Sequence, residues 1–267
     1  MIGDDVLDLG GQVALVTGAG KGAGRGIALE LAKHNAGGIA VNDFVAERAA
    51  EVVAEIRALG VPACAVPFDV CDLGQVKAAF ASAGEELGAV TILVNNAGMA
   101  GPTGQISMNS NFWEEDPSEW GKYMNTNLYG VFNCTHAALR AMVEAGRGRI
   151  VTVVSDSGRV GEPRQAVYSA AKAGAAGFMR SIAKETGRFG ITANSVALAS
   201  IQTMMSDEQF AAFQQTDGYK AAMSRYTIRR WGQPDDVAAL VAFLCSNRAS
   251  WITGQTYPLN GGYSMAQ

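Results

Sequence analysis

The sequence predicts an α/β fold in which helices cover both faces of a doubly wound parallel sheet. Short apolar runs rich in β-branched residues alternate with helical segments, beginning with the run Gln12–Gly18. This alternation implies parallel strands joined by helical crossovers. The chain has 267 residues, of which 48% are hydrophobic and 17% charged, so it can bury a large core. No repeat or linker divides it, and we expect one domain over residues 1–267.

Composition argues against several classes of protein. A net charge of −4 without a basic run argues against nucleic acid as a partner. The acidic start is no signal peptide and no apolar run approaches ~18 residues, so we expect no membrane and a cytoplasmic protein. The only two histidines, His34 and His136, fall on predicted helices, so we expect no metal site. No CxxC pair is present, which favours buried, reduced thiols at Cys64, Cys71, Cys134 and Cys245.

A glycine-rich stretch follows the first predicted strand and opens the first helix. Strand, glycine turn and helix in this order are the context that a dinucleotide site requires. Glycine lets the backbone approach the pyrophosphate, and the helix N-terminus offers free N–H groups and a partial positive charge. We therefore expect a Rossmann-type dinucleotide site at Gly18, Gly20, Lys21, Gly22, Ala23 and Gly24.

The second predicted strand ends at Asp43, 19 residues after Gly24. A carboxylate at this place accepts hydrogen bonds from the ribose hydroxyls and repels a 2′-phosphate. Asp43 therefore favours NAD over NADP. Lys21 argues weakly for NADP, because a cation in the glycine turn could meet a 2′-phosphate. As a solvated loop residue, however, Lys21 can swing into water.

Two further strands end in polar residues. Helices are predicted over 46–59 and 73–87, and strands over 62–67 and 91–95. Ligands bind beyond the carboxyl ends of such strands. We expect the cofactor to meet Asp69, which could accept from the adenine amino group. The run Asn95–Gly98 could also be an ordinary turn. The expected contacts are Asp69, Val70, Asn96, Ala97 and Gly98.

The second half of the chain continues the alternation. The loop 99–118, which carries Phe112 and Trp113, is predicted to be either a binding loop or a structural one. A long helix over 119–145, a strand over 149–155, a helix from Ala166 and a strand over 191–196 follow. The stretch at about 198–230 is rich in methionine and aromatic residues, which suits a substrate lid or a surface helix pair. A helix near Pro234 and a last strand end the chain.

Tyr168 and Lys172 stand four residues apart on a predicted helix, so both side chains lie on one face. A neighbouring ammonium favours the ionised phenol, and a tyrosine so tuned can exchange a proton near neutral pH. Ser155 ends the preceding strand and could hydrogen-bond an oxygen held near the phenol. Alone, this spacing also fits an ordinary amphipathic helix.

Several ordered motifs together resemble the short-chain dehydrogenase/reductase family over nearly the whole chain. Thr17–Gly24 matches the family's TGxxxGxG, Asn95–Gly98 its NNAG, and ITGQTYPLNGG its C-terminal signature. Asn194–Val196 followed by Thr203 resembles the stretch after the sixth strand. The family's catalytic tetrad matches Asn127, Ser155, Tyr168 and Lys172.

The resemblance implies a role for each residue of that tetrad. Tyr168 exchanges a proton with the substrate oxygen, and Ser155 orients and polarises the carbonyl. Lys172 lowers the pKa of Tyr168 and bonds the nicotinamide ribose, while Asn127 holds a water in a relay behind it. Asn96, Ile201 and Thr203 lie along the cofactor, and the chain forms a homotetramer through the helices bearing Asn127 and Tyr168.

One departure from the family pattern concerns the turn past the nicotinamide. Leu198 and Ala199 stand where the family has Pro-Gly, which changes the backbone preferences there. We expect the cofactor still to bind, with a different path into the lid.

The activity that the sequence predicts is hydride transfer between NAD(H) and a secondary alcohol or ketone. The lid favours a sizeable, partly apolar small molecule, such as a hydroxyacyl thioester, a sterol fragment or an alicyclic alcohol. Two alternatives are an NADP-dependent 3-ketoacyl reductase of lipid synthesis and a non-catalytic NAD(H)-binding sensor or scaffold. Substrate identity, stereochemistry and physiological direction stay open.

Overall fold

A seven-stranded sheet forms the centre of the computed structural model, which describes residues 5–98, 111–203 and 205–265. The strand order is β3-β2-β1-β4-β5-β6-β7, and every neighbouring pair is parallel. This arrangement confirms the predicted doubly wound α/β class. The strands are β1 Val13–Val16, β2 Gly38–Val41, β3 Ala63–Ala65, β4 Val90–Asn95, β5 Gly148–Ser155, β6 Ile191–Leu198 and β7 Thr256–Leu259.

Helices cover both faces of this sheet, as the crossover connections require. They are α1 Gly22–Lys33, α2 Ala46–Ala58, α3 Leu73–Leu87, α4 Trp120–Met124, α5 Gly130–Ala145, α6 Ser157–Val160, α7 Ala166–Thr186, α8 Asp207–Gln214, α9 Asp217–Met223 and α10 Pro234–Cys245. Single turns of 3₁₀ helix lie at Phe112–Glu114, Pro117–Glu119, Gly187–Phe189 and Asn247–Ala249. No helix in the described part of the chain is long and apolar enough to cross a membrane.

Each face of the sheet has its own apolar core. Residues such as Ile27, Ile56 and Val241 bring α1, α2 and α10 onto one face. On the other face, α3, α5 and α7 pack through residues such as Val76 and Met179. The inner strands β1, β2 and β4 are buried on both sides, which accounts for their continuous apolar runs.

The chain reverses its winding between β1 and β4, the two central strands of the sheet. Ligands of open α/β sheets bind outside the carboxyl ends of the strands at such a switch point. The ends of β1 and β4 carry Gly18 and Asn96, so the fold places both predicted cofactor segments at this crevice.

Three local features differ from the sequence-based expectations. The helix predicted over 119–145 contains a π turn at Asn125–Tyr129, and α6 was not predicted at all. Both are too short to produce a recognisable periodicity. Cys71 is exposed, so the prediction of four buried thiols is wrong at this residue, although all four cysteines are free. Its position just beyond β3, in a loop, explains the exposure.

The stretch at about 198–230 holds α8 and α9 and has a small core of its own. Phe210, Tyr219, Met223 and Tyr226 are buried together, and Trp231 packs against them. Met204 and residues 99–110 of the predicted binding loop lie outside the described residues. Within the described end of that loop, Phe112 stacks on Trp120, with ring centroids 5.5 Å apart.

Candidate active site

The glycine turn between β1 and α1 is held open by hydrogen bonds from neighbouring strand ends. Gly18 has a φ of 59°, which favours glycine, and its N–H donates to Asn42 Oδ1 at 3.2 Å. Asn96 Nδ2 donates to the carbonyls of Thr17 and Gly18 at 2.9 and 3.0 Å. Thr17 Oγ1 in turn accepts from the N–H groups of Asn96 and Ala97, each at 3.0 Å. The turn therefore has one fixed shape.

Side chains are excluded from the surface of this turn by close approach. A Cβ at Gly24 would collide with the Gly18 carbonyl and with Asn96 Nδ2. A Cβ at Gly22 would lie 2.9 Å from Thr203 Cβ, so Thr203 lies over the turn. Ala23 lies in the first turn of α1, where backbone N–H groups are free to meet an anion. These features fit a dinucleotide pyrophosphate.

Asp43 lies beyond the end of β2 and is almost fully buried, at 7% exposure. Its Oδ2 accepts from the Gly20 N–H at 3.1 Å, and its Oδ1 accepts from the Val45 N–H at 3.0 Å. The carboxylate therefore borders the glycine turn, as the spacing from Gly24 predicted. Lys21 is exposed.

Arg48 is a cation that the sequence analysis missed. Its Nη1 lies 4.0 Å from Asp43 Oδ1, and its Cβ lies against Gly20. Arg48 follows Asp43 by five residues, in the first turn of α2, and this spacing was the available signal. A carboxylate and a guanidinium thus lie side by side next to the glycine turn.

Asp69 and Val70 follow β3 at the same edge of the sheet. Asp69 Oδ1 accepts from the Cys71 N–H at 2.9 Å, which shapes the turn. Val70 is buried, and its carbonyl accepts from Asn133 Nδ2 at 2.9 Å. These contacts hold the segment at the carboxyl-end edge of the sheet, the same edge at which the glycine turn lies.

Gly98 is the point at which the NNAG segment meets the predicted tetrad. A Cβ at Gly98 would lie 3.0 Å from Lys172 Nζ and 3.1 Å from Asn127 Oδ1. The absence of a side chain at Gly98 thus leaves room for both polar groups. The NNAG run is therefore part of the site and more than an ordinary turn.

Lys172 lies on α7 and is 4% exposed. Its Nζ donates to the Val153 carbonyl of β5 at 3.0 Å and lies 5.8 Å from the centroid of the Tyr168 ring. Burial lowers the pKa of Lys172 to about 8. Among the described residues, no carboxylate forms a hydrogen bond with Lys172. The ammonium is instead stabilised by the dipole of the Val153 carbonyl.

The Tyr168 side chain is half-buried, and its phenol lies beside Ser155. Burial raises the pKa of Tyr168 above its ordinary value of 10.0, and the hydrogen bond with Ser155 lowers it in part. In the chain by itself, the rise in the Tyr168 pKa from burial outweighs any lowering by Lys172. The ammonium is directed at Val153 and not at the phenol oxygen, so desolvation dominates. Tyr168 is consequently a protonated acid at neutral pH.

Asn127 lies in the π turn that interrupts the long helix. It is fully buried, and its Nδ2 donates to the Tyr123 carbonyl at 2.8 Å. The wider turn directs Oδ1 toward Gly98, beside Lys172. Such single π turns are frequent at functional sites.

The segment after β6 begins at Leu198 and Ala199, where the family pattern has Pro-Gly. The strand continues to Leu198, which pairs with Ser155, two residues beyond the predicted end. The Ser200 N–H donates to Tyr226 Oη at 3.1 Å, and Ile201 forms a bridge with Gly232. The chain that leaves β6 is therefore held against the end of the 198–230 stretch and against Gly232.

The structure thus brings Asn127, Ser155, Tyr168 and Lys172 to the crevice that the glycine turn borders. A phenol, a serine hydroxyl and an ammonium can together exchange a proton with an oxygen and hold it. Within the described ranges, no group of three or more His, Cys, Asp or Glu side chains could hold a metal ion. Sequence reasoning missed the contacts that Asn42 and Arg48 make at the glycine turn.

Comparison with known proteins places this site in a family. A family model described as enoyl-(acyl carrier protein) reductase matches residues 18–264. The 3-oxoacyl-[acyl-carrier-protein] reductase FabG of Staphylococcus aureus is 40% identical over 254 residues, which cover 94% of this chain and 98% of the relative. FabG of Pseudomonas aeruginosa is 36% identical over 261 residues, 97% of this chain and 100% of the relative.

Solved structures agree with these relatives. A presumed short-chain alcohol dehydrogenase from Sinorhizobium meliloti has a TM-score of 0.88 and 34% identity, covering 98% of this chain and 100% of that one. A gluconate 5-dehydrogenase from Burkholderia cenocepacia, in complex with NADP and tartrate, has a TM-score of 0.86 and 32% identity. That match covers 98% of this chain and 99% of the other.

Proposed function

This chain belongs to the short-chain dehydrogenase/reductase family and is an oxidoreductase of hydroxyl and keto groups, and on that premise we propose that it reduces the 3-oxo group of an acyl thioester. The observation that carries this proposal is the match of nearly the whole chain to relatives named for a 3-oxoacyl substrate, and the Tyr168 phenol is the proton donor that it requires. A phenol that stays protonated at neutral pH is suited to donate a proton to a carbonyl oxygen.

The proposed reaction divides between the cofactor and the chain. A bound nicotinamide dinucleotide supplies the hydride, which goes to the carbonyl carbon. The Tyr168 O–H gives its proton to the carbonyl oxygen, and Ser155 donates a hydrogen bond to the same oxygen. Lys172 holds its ammonium beside Tyr168, where it stabilises the phenolate that remains. In this proposal Asn127, which lies next to Lys172 at Gly98, holds a water that returns a proton.

The acyl thioester is the substrate class that the relatives support. FabG relatives match 94–97% of the chain and are named for a 3-oxoacyl substrate. They support the ketoacyl reductase alternative better than a sterol fragment or an alicyclic alcohol. We propose that the stretch 198–230, in which Phe210, Tyr219 and Met223 pack together, is the lid over the acyl chain. A non-catalytic sensor would not need Ser155, Tyr168 and Lys172 together.

The activity assay is direct. We expect NADH or NADPH oxidation when the chain is given a 3-oxoacyl-CoA of medium length, and little with a hydroxysteroid ketone or an alicyclic ketone. Coenzyme A esters serve as probes because they share the thioester with carrier-bound substrates. Faster turnover of the steroid or of gluconate's keto form would contradict the proposed substrate class.

For the cofactor we propose NAD(H), on the strength of the buried carboxylate of Asp43. A 2′-phosphate beside this carboxylate would be repelled in an environment that screens charge poorly. NADP(H) is the second candidate, favoured by Arg48 and by the NADP complex of the gluconate 5-dehydrogenase. The exposed Lys21 could also turn toward a phosphate.

The cofactor preference gives a paired prediction. The wild type should bind NADH about tenfold or more tightly than NADPH, since a charge repulsion of about 1.4 kcal/mol suffices for that ratio. Asp43→Asn keeps the side-chain shape and removes the charge, so the preference should shrink or reverse. Arg48→Gln should lower only NADPH affinity. Fluorescence titration of both dinucleotides measures this, and a wild-type preference for NADPH contradicts the role of Asp43.

We also propose a homotetramer packed through α5 and α7. Exposed Tyr129 lies edge-on to Phe132, which packs on Phe178 of α7 with centroids 4.4 Å apart. Light scattering should therefore give about four times the 27.9 kDa chain mass. A monomer mass at micromolar concentration contradicts it.

A further inference from the structure

Ser157 is the first residue of α6 and lies two positions after Ser155, where it is 8% exposed. Its Oγ donates to Ser155 Oγ at 2.9 Å, and its N–H donates to the same oxygen at 3.2 Å. Both contacts are within ordinary hydrogen-bond distance. One residue therefore meets the predicted substrate-polarising hydroxyl twice.

These contacts determine whether the Ser155 hydroxyl accepts or donates hydrogen bonds. A serine hydroxyl has one proton to donate and two lone pairs to accept with. With the two Ser157 donors on its lone pairs, Ser155 keeps its proton for the remaining partner, the Tyr168 phenol oxygen. When a substrate oxygen lies in that place, Ser155 is already set as a donor. A hydroxyl that accepts hydrogen bonds is also a stronger donor.

Ser157 is itself held from both sides. Gly158, the next residue, lies so close to α7 that a Cβ there would be 2.8 Å from the Ala173 N and 3.1 Å from Lys172 Cβ. On the other side, Asp156 is buried, pairs with Arg159 at 2.5 Å and accepts from Asn260 Nδ2 at 3.1 Å. Because α6 is fixed against the helix of Tyr168 and Lys172, Ser157 has little freedom to turn away.

We propose that Ser157 is a positioning residue, which orients the Ser155 hydroxyl as a hydrogen-bond donor toward the phenol and the substrate oxygen. This inference rests on the proposed function, because it assigns Ser155 the role of polarising a carbonyl. Ser157 acts through Ser155 and does not itself touch the reacting atoms.

A purely structural role would have different consequences. If Ser157 served only to begin α6, its loss would lower stability and would reduce activity whether or not Ser155 were present. A positioning role requires Ser155, so the two substitutions should not be additive. The test is therefore a double-mutant cycle.

In steady-state assays with a 3-oxoacyl-CoA, we expect Ser157→Ala to lower kcat by about tenfold with KM changed less than about twofold. In a Ser155→Ala background, adding Ser157→Ala should change kcat by less than about twofold. Ser157→Thr keeps the hydroxyl and should stay within about threefold of the wild type. Ser195→Ala, which removes another buried serine hydroxyl, is the matched control and should leave kcat unchanged.

An equal loss of kcat in both backgrounds, no loss in Ser157→Ala, or an equal loss in Ser157→Thr would overturn the proposal. A second readout does not depend on the substrate. NMR titration of labelled tyrosine, with Tyr168 assigned from Tyr168→Phe, should show a higher Tyr168 pKa in Ser157→Ala than in the wild type. An unchanged pKa overturns the role of Ser157, whereas a wild type inactive on every thioester overturns only the proposed function.

Discussion

Replacing Tyr168 with phenylalanine should lower kcat/KM for carbonyl reduction by about 10³–10⁴-fold, the upper range for removal of a general acid. The loss corresponds to about 4–5.5 kcal/mol of transition-state stabilisation. The ring remains in place, so packing and dinucleotide binding should be kept, with Kd for the reduced dinucleotide within about threefold of wild type. Stopped-flow kinetics and fluorescence titration of the same preparation measure both quantities.

Tyr257→Phe is the matched control, because it removes a phenol oxygen from β7, at the edge of the sheet. Its activity should stay within about twofold of the wild type, as expected for substitutions away from the site. If Tyr168→Phe retained wild-type turnover, or if Tyr257→Phe lost as much activity, the assignment of Tyr168 as the acid would be wrong.

Lys172→Met should have the second largest effect on activity and an opposite effect on stability. The ammonium stabilises the phenolate that forms when Tyr168 gives up its proton, so kcat should fall by about 10²–10³-fold. Methionine fills the same space without a charge, and the chain no longer buries an ammonium whose pKa burial has lowered to about 8. The cofactor-free variant should therefore be more stable than the wild type near neutral pH.

The pH dependence of that stability difference follows from the direction of the pKa change. Below pH about 8 Lys172 is charged in both states, and burial of the charge destabilises the native chain. As pH rises toward 10.5, the pKa of Lys172 in the unfolded chain, the native side chain loses its proton first and the energetic cost of burying the charge disappears. The substitution also removes the hydrogen bond to Val153, which offsets part of the benefit. We expect the free energy of unfolding of Lys172→Met to exceed that of the wild type by on the order of 1–2 kcal/mol near pH 7.

Urea unfolding of the wild type and of Lys172→Met, at about pH 7 and about pH 10, measures this difference. The gain should be largest at the lower pH and shrink at the higher one. A variant less stable than the wild type at about pH 7 would show that the Val153 hydrogen bond outweighs the cost of burial. Lys184→Met, on the exposed side of α7, is the matched control and should show no such trend.

The order of strands and helices could be predicted from the sequence because each element has a local sequence pattern. Each strand–helix alternation has its own periodicity, so the element order and the parallel sheet could be predicted from Gln12 onward. Asp43 and Gly24 are separated by one helix and one strand, a spacing that the fold translates into proximity at the glycine turn. Residues predicted to share a site, such as Asp43 and Gly24, therefore lie together at the carboxyl ends of the strands.

Features that depend on packing between distant segments were not predictable in the same way. The direction of Lys172 toward Val153 depends on how α7 lies on β5, and the burial that raises the Tyr168 pKa depends on the same packing. The π turn at Asn127 and the short helix of Ser157 are single turns without a periodic pattern. Arg48 was overlooked because its relation to Asp43 appears only once α2 is placed.

Single-turnover oxidation of enzyme-bound NADH by a 3-oxoacyl-CoA tests the central claim most directly. In the wild type, the nicotinamide absorbance should fall in one rapid phase as hydride and the Tyr168 proton are transferred. Tyr168→Phe should bind the same NADH with nearly unchanged affinity, yet its absorbance should stay constant over about a hundred wild-type half-times, given the loss expected for a missing acid. A fall at the wild-type rate in Tyr168→Phe would contradict the role of Tyr168.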